Sequence, residues 1–143
     1  MRKFTVLLIG LALAVSATAA SKKVIQPKDF PTGRPFSPGI LVDDTLYVAG
    51  QTGADLKTSQ FPEDFDGEVK QCLDNIGLIL KEAGMSFDDA VAVQVYLTDM
   101  TLFPRMNAVY TTYLKEPRPA RTTVGVAKLV GNARIEVTLT AHR

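Results

Sequence analysis

The sequence has few of the residues that build the commonest catalytic centres. Its 143 residues include one cysteine, Cys72, one histidine, His142, and no tryptophan. One cysteine cannot form an internal disulfide or a cysteine cluster for a metal. One histidine leaves no second imidazole for a metal site and no partner for a serine nucleophile. Because Cys72 lies in a helical apolar pattern, we predict a buried small side chain there, and we expect no metal and no cofactor.

The chain also lacks an excess of charge of either sign. It has 16 basic and 15 acidic residues, a formal net charge of +1. Proteins that bind nucleic acid usually carry a basic patch, and no basic cluster interleaved with aromatic residues occurs here. The segment Gly50-Gln51-Thr52-Gly53 has neither the spacing nor the lysine of a phosphate-binding loop. We therefore expect neither nucleic acid nor a nucleotide as the ligand.

The one long apolar run lies at the N-terminus. Arg2 and Lys3 precede it, it extends from Phe4 to Val15, and Ala17-Thr18-Ala19 provides small residues at the spacing of a cleavage site. The run is too short for a bilayer span, which needs roughly 20 residues. We predict a signal peptide at residues 1–19, a single domain at residues 20–143, and a periplasmic or secreted protein without a stable membrane span after processing. A retained membrane anchor is the alternative.

Hydrophobic periodicity predicts the order strands, helix, strand, helix, strands. The segment from Ser21 to Pro38 contains four prolines, so we expect a mobile arm or a strand and loop laid over the domain. The predicted elements after it are a hairpin (Ile40–Val42 and Thr45–Ala49), a helix with apolar positions from Val69 to Ala83, a strand (Val91–Leu97), a helix from about Thr101, its N-cap, to Leu114, and two final strands (Thr122–Ala127 and Ile135–Ala141). This order predicts an α+β sandwich with both helices on one face of a sheet.

The last strand predicts which residues face away from the core. If Ile135, Val137 and Leu139 point toward the helices, then Glu136 and its neighbours at positions 138 and 140 point to the opposite face. A sheet with helices on one side exposes its other face to water or to another subunit. The mixture of small, polar and aromatic residues there favours a subunit interface.

Several separated motifs resemble the RidA/YjgF family. The segments that carry the resemblance are Pro119-Ala120-Arg121-Thr122-Thr123-Val124, Ile135-Glu136-Val137, Gly50-Gln51, Leu73-Asp74-Asn75-Ile76 and Met106-Asn107-Ala108-Val109-Tyr110. They occur in the family's order and cover the chain from about Phe36 to Arg143. The resemblance implies a chorismate-mutase-like α+β sandwich, with a six-stranded mixed sheet and two helices on one face. It also implies a homotrimer with active sites in clefts between subunits.

The resemblance further implies a 2-iminoacid or enamine deaminase, which hydrolyses reactive imines to 2-keto acids and ammonia. In this interpretation Arg121 binds the substrate carboxylate and Glu136 orients or deprotonates the attacking water. A guanidinium suits the first role because it stays charged and can grip a carboxylate through two parallel hydrogen bonds. By the same resemblance, Phe36, Gly50, Asn107 and Thr123 join Arg121 in binding the substrate.

Three positions differ from residues that are common in the family. Phe36 replaces a tyrosine, Ala49 replaces a serine, and Thr123 replaces a cysteine, so we expect a more apolar pocket. Two other functions stay open on the sequence. One is a non-catalytic trimer that binds small carboxylates, and the other is a chaperone-like protein of the cell envelope that acts through its surface.

Overall fold

The structure is a computed structural model that describes residues 21–143, so the predicted signal peptide lies outside the described residues. The strands are β1 (Lys22–Ile25), β2 (Gly39–Val42), β3 (Thr45–Thr52), β4 (Ala90–Leu97), β5 (Ala120–Gly125) and β6 (Ile135–His142). The helices are α1 (Phe65–Glu82) and α2 (Phe103–Tyr113), with short 3-10 turns at Phe87–Asp89 and Met100–Leu102. Within residues 21–143, neither helix has the length and apolar composition of a membrane span.

The six strands form one mixed sheet in the order β1-β2-β3-β6-β4-β5. All neighbouring pairs are antiparallel except β4 and β5, which are parallel. Helix α1 packs on β3 and β6, and α2 packs on α1. Buried apolar side chains such as Leu46, Ile76, Val95 and Leu139 fill the space between the sheet and the helices. The predicted α+β architecture is confirmed.

Local sequence explains the hairpin and the limits of α1. Asp43 adopts a φ of +50°, a left-handed conformation that aspartate tolerates better than most residues, and so turns the chain from β2 into β3. The carboxylate of Asp64 accepts a hydrogen bond from the backbone N–H of Gly67 at 2.8 Å and caps the start of α1. Gly84, with a φ of +71°, follows the end of the helix, as the sequence predicts.

Two strands contain bulges that local periodicity did not predict. The second hairpin strand is predicted to end at Ala49, but β3 continues to Thr52 across a register shift between Val48 and Gln51. Val91 begins the predicted strand Val91–Leu97 and fits its apolar alternation with Val93 and Val95, but Val91 is exposed. A register shift between Ala90 and Ala92 makes Val91 an unpaired extra residue, which removes it from the alternation.

The second helix and the penultimate strand also differ from prediction. Asp99, rather than Thr101, caps the 3-10 turn before α2, and its carboxylate accepts a hydrogen bond from the backbone N–H of Thr101 at 2.8 Å. Strand β5 begins at Ala120, two residues before the predicted start at Thr122, because Ala120 pairs with Ala92 of β4. In the sheet, β4 lies between β5 and β6, so the turn before β6 connects two strands that are not neighbours.

The sheet face away from the helices, which we call the open face, carries the predicted residues of β6. Glu136, Thr138 and Thr140 alternate with fully buried core residues and are each partly exposed. Glu136 pairs with Tyr96 of β4, and Thr138 pairs with Gln94, so these side chains share the face. The outward direction predicted for Glu136 is confirmed, and the use of this face as a subunit interface stays a prediction.

Candidate active site

The sheet separates the candidate site residues into two groups. In the parallel pair β4–β5, Arg121 lies opposite Val93 and Thr123 opposite Val95. Val93 and Val95 are buried beneath the helices, and residues directly opposite each other share a face. Arg121 and Thr123 therefore point to the helix side of the sheet, while Glu136 lies on the open face. One subunit alone does not bring Arg121 and Glu136 together.

Arg121 lines a pocket of about 380 Å³, which we call the arginine pocket, whereas Thr123 is not among its lining residues. Its lining residues are Asn107, Tyr110, Thr111, Arg118, Pro119 and Arg121. The guanidinium carbon of Arg121 lies 4.6 Å from the ring centroid of Tyr110 and 5.6 Å from that of Phe103. These ring contacts from α2 hold the guanidinium beside the pocket by cation–π attraction.

Arg121 has no acidic partner in the part of the chain that the structure describes. None of the ion pairs found among residues 21–143 includes it, and its side chain is only partly exposed. A partly desolvated cation without a counter-ion is an electrostatic site for an anion. The N–H groups of a guanidinium can bind a planar carboxylate through two parallel hydrogen bonds.

Two hydroxyl groups on the same side of the sheet are also without partners. Within the described residues, the hydroxyls of Tyr110 and Thr123 are buried and make no hydrogen bond. Burial raises the pKa of Tyr110, although the nearby positive charge of Arg121 lowers it. An unsatisfied buried polar group costs stability unless a ligand, a water or a partner subunit satisfies it. Both groups therefore mark the surroundings of Arg121 as a place where a polar ligand or another subunit fits.

The second group surrounds a larger pocket of about 670 Å³, which we call the glutamate pocket. Glu136, Gly50 and Phe36 line it together with Ala49 and Phe61. A methyl group on Gly50 would overlap the carboxylate oxygen Oε1 of Glu136 and lie 3.0 Å from its Cδ. A side chain at position 50 would displace the Glu136 carboxylate, so the glycine leaves this carboxylate its place in the pocket.

A buried amide fixes one wall of the glutamate pocket. The Nδ2 of Asn75 on α1 donates hydrogen bonds to the backbone oxygens of Thr52 and Ala54, at 3.1 and 2.9 Å. Gln71 donates to its Oδ1 at 2.9 Å, so the amide is well satisfied. Asn75 therefore fixes the end of β3, two residues after Gly50, and the start of the loop that follows it.

Four of the six residues that line the arginine pocket are not predicted as site residues from the sequence: Tyr110, Thr111, Arg118 and Pro119. The signal for Tyr110 is its spacing of three residues from Asn107, which puts both side chains on one helix face.

Cys72 is buried, and burial raises the pKa of its thiol, so it is a core residue as predicted. Within residues 21–143, His, Cys, Asp and Glu side chains nowhere gather in groups of three or more that could hold a metal.

Known proteins share this arrangement of strands and helices. The family model described as Endoribonuclease L-PSP matches residues 27–143. A RutC family protein of Sulfurisphaera tokodaii is 42% identical over 104 residues, which cover 72% of this chain and 83% of that protein. The mouse (Mus musculus) protein named 2-iminobutanoate/2-iminopropanoate deaminase is 39% identical over 118 residues, covering 81% and 87% of the two chains.

A solved structure extends the likeness to three dimensions. RidA from the Antarctic bacterium Psychrobacter sp. PAMC 21119 is 34% identical, with a TM-score of 0.80 and coverage of 85% of this chain and 99% of that one. The six-stranded sheet, the two helices and the sequence identities define one class of small α+β protein. The chain belongs to the RidA/YjgF family.

Proposed function

We propose that the protein is a 2-iminoacid deaminase that works as a homotrimer, with each active site formed by two subunits. The observation that carries the proposal is the unpaired, partly buried guanidinium of Arg121 beside the arginine pocket. It would bind the carboxylate of a 2-imino acid or of its 2-keto product. A related mouse protein is named as a deaminase of 2-iminobutanoate and 2-iminopropanoate, small acids of this class.

The chemistry requires a water molecule beside the bound imine. Water adds to the carbon of the protonated imine (C=NH2+), and its proton passes to Glu136 while the C–O bond forms, which gives a neutral carbinolamine. Glu136 then returns this proton to the amine nitrogen, and the C–N bond breaks as ammonia leaves. The hydroxyl proton passes to the departing ammonia, which leaves as ammonium, and the C–O bond becomes the C=O bond of the ketone. An imine is already reactive, so holding water and substrate in the correct geometry can supply most of the acceleration.

A second subunit is needed because of the sheet geometry. Arg121 and Glu136 occupy opposite faces of one sheet. If the open face of one subunit packs beside the β5 edge of the next, the glutamate pocket of the first meets the arginine pocket of the second. The substrate carboxylate would then bind to Arg121, while Glu136 and Phe36 approach from the neighbouring subunit. The unsatisfied hydroxyl of Thr123 lies two residues from Arg121, where such a contact would satisfy it.

The proposed anchor is tested by replacing Arg121. We expect Arg121→Ala to lower kcat/KM for 2-iminopropionate on the order of 100-fold, because the substrate loses the contact that fixes its position. Arg121→Lys keeps the charge but not the paired donors and should recover part of the rate. The measurement follows the disappearance of 2-iminopropionate generated in place by an amino-acid oxidase. Equal rates for wild type and Arg121→Ala would disprove the role of Arg121.

Binding without turnover is the second candidate, and the sheet geometry favours it for an isolated subunit. Such a subunit has the carboxylate anchor on one face and the acid on the other, so it could hold a keto acid without activating water. Calorimetry that finds keto-acid binding by a protein without imine hydrolysis would support this candidate.

The family description also names an endoribonuclease. The near balance of 16 basic and 15 acidic residues argues against RNA as the ligand.

We also propose that the mature protein begins near residue 20 and is periplasmic or secreted. The support is the pattern of basic, apolar and small residues at positions 1–19. N-terminal sequencing of the protein from a bacterial expression host, fractionated into cytoplasm, membranes and periplasm, should find a chain that starts within a residue or two of Ala20 outside the cytoplasm. A full-length chain in the cytoplasmic fraction would rule export out, and one in the membrane fraction would indicate the retained anchor.

A further inference from the structure

The arginine pocket contains a second guanidinium that binding of one carboxylate does not use. Arg118 and Arg121 both line this pocket of about 380 Å³, and none of the six residues lining it is acidic. The other polar side chains are the amide of Asn107 and the hydroxyls of Tyr110 and Thr111. Two positive charges beside one cavity repel each other, and a ligand with two negative charges would stabilise both.

The backbone holds Arg118 in place before any ligand binds. It lies between Pro117 and Pro119. A residue that precedes a proline is restricted to extended conformations, and each proline fixes its own φ. The backbone entropy lost on binding is therefore small at this position. Arg121 lies three positions after Arg118, so their Cα atoms lie at most about 10 Å apart at full extension.

The present partner of Arg118 is one that a ligand can replace. Arg118 forms an ion pair with Glu116, whose side chain is 71% exposed, and the Arg118 side chain is itself 43% exposed. An ion pair between groups this exposed contributes little to stability, because water screens both charges. Exchanging Glu116 for a ligand carboxylate thus costs little. Arg121 has no such internal partner within residues 21–143 and is available for the first carboxylate.

We propose that Arg118 is a specificity-determining residue that binds the distal carboxylate of a four- or five-carbon dicarboxylic acid whose first carboxylate is on Arg121. This inference rests on the proposed function for the substrate class: the preferred substrates are 2-imino dicarboxylates, and the products are the corresponding 2-keto dicarboxylates. Both guanidinium groups line the same pocket, so one small acid with two carboxylates can contact them together. Asn107 and Tyr110 line the pocket as well.

Binding of stable product acids tests the inference without requiring catalysis. Calorimetry on the trimer compares 2-oxoglutarate, which has two carboxylates, with 2-oxobutyrate, which has one. We expect wild type to bind 2-oxoglutarate at least tenfold more tightly. Arg118→Ala should remove that preference and change the affinity for 2-oxobutyrate by less than twofold. Lys128→Ala is the matched control because it removes one exposed positive charge outside the pocket, and it should behave like wild type.

The outcomes separate this inference from the proposed function. Equal binding of both acids by wild type, or an equal loss of both in Arg118→Ala, would overturn the role of Arg118 and leave imine hydrolysis standing. A preference for 2-oxoglutarate that depends on Arg118, in a protein that hydrolyses no imine, would support Arg118 and reject the deaminase. Binding of neither acid would overturn both. A preference equally reduced in Lys128→Ala would show a general charge effect and also overturn the inference.

Discussion

Two inactive variants should restore activity when they assemble together. Arg121→Ala subunits keep Glu136, and Glu136→Gln subunits keep Arg121. In a cyclic trimer that contains both kinds of subunit, one cleft in three combines an intact Arg121 with an intact Glu136 from its neighbour. We therefore expect mixed trimers to reach about one third of the wild-type rate, whereas each variant alone falls on the order of 100-fold below it.

The experiment uses two affinity tags. The variants are co-expressed with different tags, and purification on both tags in turn retains only mixed assemblies, whose size light scattering confirms. The matched control combines Arg121→Ala with the double variant Arg121→Ala/Glu136→Gln, which leaves no cleft with an intact arginine and should stay inactive. Verified mixed trimers without recovered activity would contradict a site shared across the subunit boundary. A chain that runs as a monomer would contradict it as well.

The direction of Glu136 could be predicted from sequence because strand alternation is local. Every second residue of β6 from Ile135 to Ala141 is buried, so the pattern itself fixes the face on which Glu136 lies. The face of Arg121 could not be obtained in this way. It depends on the parallel pairing of β5 with β4, and the short polar β5 has only partly exposed and exposed residues. The resemblance identified both residues, but only the structure shows that one sheet separates them.

Long-range partners also explain the other differences. Val91 fits an alternating pattern and is nevertheless exposed, because a bulge opposite β6 adds one residue to β4. Glu68 lies in the first turn of α1, where an acidic side chain is favourable because the N-terminal end of a helix is partly positive. The local sequence could not show that Glu68 is completely buried.

A distant arginine makes the burial of Glu68 possible. The Glu68 carboxylate accepts hydrogen bonds from the backbone N–H of Arg134 at 2.7 Å and from its Nε at 2.5 Å, across 66 positions of the chain. The same guanidinium donates to the backbone oxygen of Pro62 at 2.9 Å. This ion pair ties α1 to the start of β6, one residue before the strand that carries Glu136. Removing one partner of a buried ion pair destabilises the protein, because the other charge is then left in the interior without a counter-ion.

Arg134→Ala should therefore lower the free energy of unfolding by about 3–5 kcal/mol, because it leaves the carboxylate of Glu68 buried without its counter-ion. Arg105→Ala is a matched control. Each guanidinium lies over the ring of Phe65, at 5.6 Å for Arg134 and 5.7 Å for Arg105, so both variants lose a similar stacking contact. Arg105 instead pairs at 2.8 Å with two aspartates whose side chains are 64% and 49% exposed.

For Arg105→Ala we expect a much smaller loss than for Arg134→Ala, since exposed ion pairs are weak and water replaces them readily. Urea unfolding of wild type and both variants at one protein concentration gives their free energies of unfolding. The slope of the unfolding free energy against urea concentration shows whether a variant also changes the unfolded state. Both variants lose a similar contact with Phe65, so this contribution cancels when their losses of unfolding free energy are subtracted. The difference then gives the cost of leaving the Glu68 carboxylate buried without a partner. Equal losses would show that burial of Glu68 contributes nothing beyond the aromatic contact. A larger loss for Arg105→Ala would instead show that the ion pairs between α2 and the start of α1 contribute more to stability than the buried pair of Glu68.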